Sequence, residues 1–371
     1  VVPPPFVKRV VKTCLGIGKD DKVIVSSWRH TVDLAESFAM ECKKAGAHVL
    51  IEYVSDDIFY DSVTTLPLDY LETPNSFNLA LAGVATAVIF IAGPKSPERQ
   101  LRVPAERWMA LARSDKPYYE RVLKRRVRMV EILLGHVTLE RAKVYGIDYH
   151  AWSKNVEEST NIEYGELQKL GKKLAEVLER SEKVEITSPD GTDLSFILES
   201  RKAHIYDGVI SEEDIENGAI FAELPEGAVS VAPTEASAKG TLISNLSFPQ
   251  VGRIIESVSL SFEDGRVKSF TGGKNIDIIR DMWKKSTGDK DNIGWLTLGL
   301  NPKASLGFLT NAIVRGTATV GIGENRELGG NNSSDYSLPV TLSKPTVKLD
   351  GKTIIKQGRL TLESYKSEGS A

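Results

Sequence analysis

Apolar and polar positions follow two regimes along the chain. In the first hundred residues, short apolar runs trade places with helical periodicity. DKVIVSS (21–27) is a run suited to a buried strand. VDLAESFAMECKKAGA (32–47) repeats its apolar residues at helical spacing and ends at a glycine stop. HVLIEYV (48–54) is the next strand, and NLALAGVATAVIFIAG (78–93) reads as a helix end followed by a fully apolar strand. Strand, helix and strand at this spacing predict a parallel βαβ sheet.

Residues 95–145 read as mostly helical and basic, and GIDYHAWSKNVEESTN (146–161) reads as a polar passage between domains. YGELQKLGKKLAEVLERS (164–181) is an amphipathic helix. After it the regime changes. KVEITSPDGTDLSFIL (183–198) has two alternating strands around a Pro-Asp-Gly-Thr turn. GAVSVAP, GTLISN, VSLSFEDGRVKSF, GTATVGIG and PTVKLDGKTIIKQGRL continue the β pattern, with one helix at 275–286. The expected organisation is an α/β domain over 1–160, carrying the basic helical segment 95–145, and a β-rich α+β domain over 161–371.

A length of 371 residues is consistent with two domains. Hydrophobic residues at 41% and charged residues at 26% are ordinary for a globular protein. No apolar run is long enough for a membrane-spanning helix, and VVPPPFVKRVVKTC lacks the apolar core of a secretory signal. The two cysteines, Cys14 and Cys42, fall on different predicted helices, which argues against a disulfide or zinc framework. These features point to the cytoplasm. The net charge of −3 conceals a block: residues 95–128 hold 11 basic and four acidic side chains, a balance of +7, so the remainder stands at −10. In YYERVLKRRVRM (118–129), read as helical, Lys124, Arg125 and Arg128 would share a face, with Arg121 one turn earlier and Arg126 between them. Tyr118 and Tyr119 could stack beside them. Such a face suits an RNA backbone; a solvated face with local ion pairs is the plainer reading.

ITSPDGTDLSF (186–196), LPEGAVSVAPTEASAKGTLI (224–243), GWLTLGLNP (294–302), GTATVGIGEN (316–325), GGNNSSDYSL (329–338) and VKLDGKTIIKQGRL (347–360) occur in one order. In that order they resemble the thermophilic metallo-aminopeptidase family, the aminopeptidase T and S type. The resemblance implies an N-terminal Rossmann-like parallel-sheet domain, a C-terminal β-rich aminopeptidase-type domain and a homodimer. In active members it implies two metal ions that activate a water. The residues that stand at the implied ligand positions are Ala228 in Pro-Glu-Gly-Ala-Val, Trp295 before Gly-Leu-Asn-Pro, Thr319 after Gly-Thr-Ala, Asn325, Tyr336 and Leu338. The implied acidic pair before Gly-Thr falls on Asn311 and Ala312, while Asn331 and Ser333 keep the closing pattern.

No histidine or cysteine follows His204, so a zinc centre in the second domain has no N or S ligand there. Neither metal, cofactor nor catalytic residue is expected. Trp295 would fill the former metal cavity, and Ala228, Thr319 and Tyr336 would converge on it. Glu226, Glu324 and Asp335 read as turn or solvated carboxylates. The chain then reads as a catalytically inactive scaffold that binds, through 95–128, a protein or an RNA-rich particle such as the ribosome. The alternative is an active metallo-aminopeptidase or other hydrolase with a relocated site. SSWRHTVDLA (26–35) follows the first strand, where Rossmann-like folds place ligand loops, and offers Arg29 and His30; it lacks the glycine fingerprint of a dinucleotide site.

Overall fold

A computed structural model describes residues 3–100, 102–250 and 253–362. The strands in chain order are β1 (Lys22–Trp28), β2 (His48–Val54), β3 (Ala87–Ile91), β4 (Arg128–Ile132), β5 (Lys183–Thr187), β6 (Asp193–Ile197), β7 (His204–Tyr206), β8 (Phe221–Leu224), β9 (Ala228–Val231) and β10 (Lys239–Ser244). They continue with β11 (Phe248–Gln250), β12 (Arg253–Ile255), β13 (Val258–Glu263), β14 (Arg266–Gly272), β15 (Ile293–Gly299), β16 (Ala318–Gly323), β17 (Ser337–Leu342), β18 (Thr346–Leu349), β19 (Lys352–Lys356) and β20 (Arg359–Leu360).

The chain forms two compact units, and it crosses between them more than once. The first unit takes residues 1–164 and 208–225; the second takes 165–207 and 226–371. The division expected at 160 is therefore only the first crossing, because a later segment returns to the first unit.

The first unit is built on a five-stranded sheet in the order β2-β1-β3-β4-β8, parallel throughout. β1 and β3 are central and bury nearly every residue, which is why they read as continuous apolar runs. β2 is an edge and exposes Leu50, Ile51 and Tyr53. β8 comes from the returning segment, almost ninety residues after β4. The fold class expected from the alternation is present.

Two expectations in the first unit are corrected. The segment 118–129 is not one helix. The helix Ala105–Arg125 stops where Arg126 takes a left-handed conformation with φ of 55°, and Arg128 opens β4. Five charged residues in 124–131 hid a strand whose apolar members are Met129, Val130 and Ile132. The segment 146–161 is not a linker either. Asp148 caps the helix Tyr149–Thr160 by accepting from the Ala151 amide at 2.7 Å, and the helix buries Trp152, Asn155, Val156, Ser159 and Thr160. Its polar composition came from Asn, Ser and Thr on the packed face; Ser159 and Thr160 bond to carbonyls one turn back.

The second unit holds two antiparallel sheets. One has eight strands in the order β14-β13-β10-β6-β5-β18-β19-β20; the other has five, β17-β16-β15-β9-β7; β11 and β12 form a separate ribbon. The helix Tyr164–Glu179 packs so closely on the five-stranded sheet that a Cβ at Gly171 would come within 2.7 Å of Ile205. No helix among the described residues is long and apolar enough to cross a membrane.

Candidate functional site

The five-stranded sheet of the second unit has two chemically opposite faces, and register assigns every residue to one of them. Directly opposed residues in a sheet share a face, and so do residues two apart on a strand. Val229, Val231, Leu296, Leu298, Ala318, Val320, Ile322, Leu338, Val340 and Leu342 all fall on one face and are buried. The other face carries an in-register row: His204, Ser230, Thr297, Thr319 and Thr341, one from each strand. The hydroxyls pair along this row, Ser230 Oγ with Thr297 Oγ1 at 2.7 Å and Thr319 Oγ1 with Thr341 Oγ1 at 2.9 Å.

Ala228 and Trp295 lie two residues from Ser230 and Thr297 and so share this hydroxyl face. Trp295 stands opposite Gly321 in β16. A Cβ on Gly321 would approach the indole to 2.1 Å, so the ring lies flat across the sheet over a residue that must be glycine. The row itself was not singled out in the sequence, although its signal is there. In AVSV, GWLTLG, ATVG and PVTL, a single hydroxyl residue interrupts each apolar run at the position that register aligns.

Of the four residues expected to converge, Tyr336 does not join Ala228, Trp295 and Thr319. Ala228, Trp295 and Thr319 share the hydroxyl face. Leu338 sits opposite Ile322 on the apolar face. Tyr336, two residues earlier, is buried and donates its hydroxyl to the Ile279 carbonyl at 3.0 Å; burial pushes that phenol well above its usual range. Asn325 belongs to the loop. Its side chain donates to the Gly294 carbonyl at 3.0 Å and accepts from the Asn332 amide at 2.8 Å. Asn311 accepts from the Gly307 amide at 2.9 Å.

The carboxylates of the loop hold backbone amides, Asp335 while remaining exposed. Asp335 accepts from the Thr287 amide at 2.6 Å, and Glu324 accepts from the Ser334 amide at 2.8 Å and from Arg326. Asn332 bonds to the Ile293 and Gly323 carbonyls, both at 2.9 Å. Glu235 anchors the loop from outside it. It accepts from the Asn331 amide at 2.7 Å and holds Arg201 through two bonds of 2.8 Å. Burial alone would raise the Glu235 carboxyl; the Arg201 guanidinium and the Asn331 amide outweigh it and hold the value at about 2. A depressed carboxylate stabilises fully above its unfolded value, here 4.5, and that stabilisation is lost as pH falls towards 2. Melting temperature is expected to drop across that window, with a shallower drop in Glu235→Gln. Equal slopes for the two proteins would contradict this assignment.

Residues 162–362, more than half of the chain, match the family model described as NicX: 2,5-dihydroxypyridine 5,6-dioxygenase. The chain belongs to this family. Two solved structures share the fold. The 2,5-dihydroxypyridine dioxygenase from Pseudomonas putida KT2440 aligns at a TM-score of 0.62 and 18% identity, over 96% of both chains. AmpT from Thermus thermophilus aligns at 0.72 and 16% identity, over 96% of this chain and 98% of its own. No curated protein sequence matches the chain. The aminopeptidase likeness thus holds as a fold, and the matching family model is that of NicX.

A member of the NicX family invites a test of its donor set against a metal. Among the described residues, no three His, Cys, Asp or Glu side chains are grouped as a metal ion requires. At the six positions, Ala228 and Leu338 have no donor atom, and the Trp295 indole offers only an N–H. Thr319, Asn325 and Tyr336 are already committed to hydrogen bonds. These side chains do not fit a metal centre. His204 stands opposite Ser230 in the register; burial, then the Lys202 charge, lowers its pKa.

The basic window of this NicX relative lies in the first unit and is mostly internal wiring. Arg128 pairs with Asp21 at 2.6 Å and donates to the Leu15 and Gly16 carbonyls. Arg121 donates to the Leu79 carbonyl at 2.8 Å and Arg126 to that of Ile215 at 2.9 Å. Lys124 and Arg125 are exposed and make no bond within the described residues. The shared cationic face of Lys124, Arg125 and Arg128 does not form, because the last of these stands on a strand.

Proposed function

We propose that this chain is a NicX-family protein that acts by binding and not by metal-dependent chemistry. The reading rests on one observation, the state of the hydroxyl face. On the face that carries three of the implied ligand positions, Ala228, Trp295 and Thr319, the hydroxyls pair as Ser230 with Thr297 and Thr319 with Thr341, and the Trp295 indole lies across Gly321. A hydroxyl ladder of this kind is largely buried and spends its donors and acceptors on itself. It supplies no carboxylate for a hard cation, and its single imidazole, His204, is not the set of several N, S or O ligands that a borderline metal takes.

The coarse identity of the scaffold is the family's; the loss of the reaction is the step proposed. Neither peptide hydrolysis nor the dioxygenase reaction named for the relative is assigned to this chain. The test is a metal titration of the whole protein: no uptake is expected, and tight stoichiometric uptake would overturn the proposal.

A further inference from the structure

The first unit contains a crevice that plays no part in the reading above. From β1 the chain passes to β2 on one side, and β3 then lies on β1's other side. Crossovers that leave in opposite directions open a gap outside the carboxyl ends of the strands, the place where open α/β sheets bind ligands. A cavity of about 750 Å³ fills that gap, within the range of small-molecule sites. It is walled by the segments that follow β1, β3 and β4. These include His30 in the turn after β1, Lys95 after β3, and Glu140 in the helix Leu139–Tyr145 after β4.

The chemistry of this wall selects a ligand. A phosphate cradle is absent: the turn after β1 has no glycine, and Thr31 Oγ1 accepts the Trp28 amide at 3.0 Å, closing the turn on itself. Acids outnumber cations. Asp33, Glu140 and Glu157 face one ammonium, Lys95, which is already paired with Glu140 Oε1 at 2.9 Å. Two buried atoms of residues in this wall have no hydrogen bond, His30 Nδ1 and Glu140 Oε2. His30 Nε2 lies 3.0 Å from the Gly135 carbonyl. A carbonyl only accepts, so Nε2 carries the proton, and Nδ1 of the neutral ring is an acceptor. Both orphaned atoms therefore call for donors, and burying them unpaired is unfavourable. Leu34, Leu134 and Val137 make the rest of the wall apolar.

We propose that this crevice binds a small organic cation, a primary ammonium or guanidinium on an apolar body, with Glu140 and His30 as its acceptors. The site is separate from the hydroxyl face, so it stands or falls independently of the metal question. Anionic ligands of the same shape bring no donor to Glu140 Oε2 and are rejected.

Calorimetric titration of the full-length protein tests this with phenethylamine and agmatine against phenylacetate and inorganic phosphate. At least one cation should bind with a Kd below about 1 mM, and both anions should bind at least about tenfold more weakly. Glu140→Gln should weaken the cation about tenfold, the loss of one charged hydrogen bond. Ser153→Trp, which fills the cavity from the helix Tyr149–Thr160, should abolish binding with the fold intact by circular dichroism. Preference for either anion, no binding by either cation, or unchanged cation binding in both folded variants would overturn the proposal.

Discussion

Leu338→Asp is expected to lower the unfolding free energy by about 5 kcal/mol, combining lost apolar burial with an unpaired buried carboxyl. Leu338 is 1% exposed and stands opposite Ile322 on the apolar face of the five-stranded sheet. The resemblance places a metal-binding aspartate at this position, so the variant separates two accounts. If Leu338 lined a cavity inherited from a metal centre, an aspartate there would be tolerated and would gain affinity for divalent ions. If it is a core residue, the protein loses most of its stability and gains no metal. Denaturant unfolding of Leu338→Asp beside Leu338→Ala measures the difference. The alanine variant should cost about 3 kcal/mol through its cavity alone.

Arg128→Met should cost about 2–3 kcal/mol, somewhat less than the penalty for removing one partner of a fully buried ion pair, because this pair is part-buried. Arg128 and Asp21 are 14% and 16% exposed, and the guanidinium also satisfies two carbonyls of the 15–16 turn. Asp21 would keep the Gly18 amide at 2.9 Å and the Thr86 hydroxyl at 2.6 Å but lose its counter-charge. The double variant Lys124→Ala, Arg125→Ala should stay within about 0.5 kcal/mol of the parent, since both side chains are exposed and unbonded. Were Arg128 a surface contact for a polyanion, its removal would leave stability as unchanged as that double variant. Thermal melts of the two proteins therefore decide whether this arginine is wiring or interface.

Much of the architecture was legible because its signals are local. β1, β2 and the helix Val32–Lys44 follow from a buried run, an edge run and helical spacing with a glycine stop. β4 was missed because charge dominated the reading; Arg128 and Glu131 sit on a strand whose apolar members do the packing. The helix Tyr149–Thr160 was missed because Ser159 and Thr160 are buried yet satisfied by their own helix, so a polar composition did not mean exposure. The return of β8 to the first unit is a non-local pairing that no local pattern announces.

The candidate site was legible in position but not in geometry. Six residues could be assigned from motif order, yet the alternation of a strand sent Ala228, Trp295 and Thr319 to one face and Leu338 to the other. Asn325 stood at an implied ligand position, and Asp335 read as a solvated carboxylate. Their side chains instead hold backbone amides and carbonyls, so that loop is a brace for the sheet. The hydroxyl row emerges only once register aligns one serine and three threonines from four strands.

The most direct measurement is a titration of the purified full-length protein with Zn²⁺, Mn²⁺ and anaerobic Fe²⁺, read by calorimetry and by melting temperature. The account predicts no site with a Kd below about 100 μM, and a melting temperature that neither EDTA nor excess metal moves. Near-stoichiometric binding of any of the three ions, with a rise in melting temperature that chelation reverses, would contradict it.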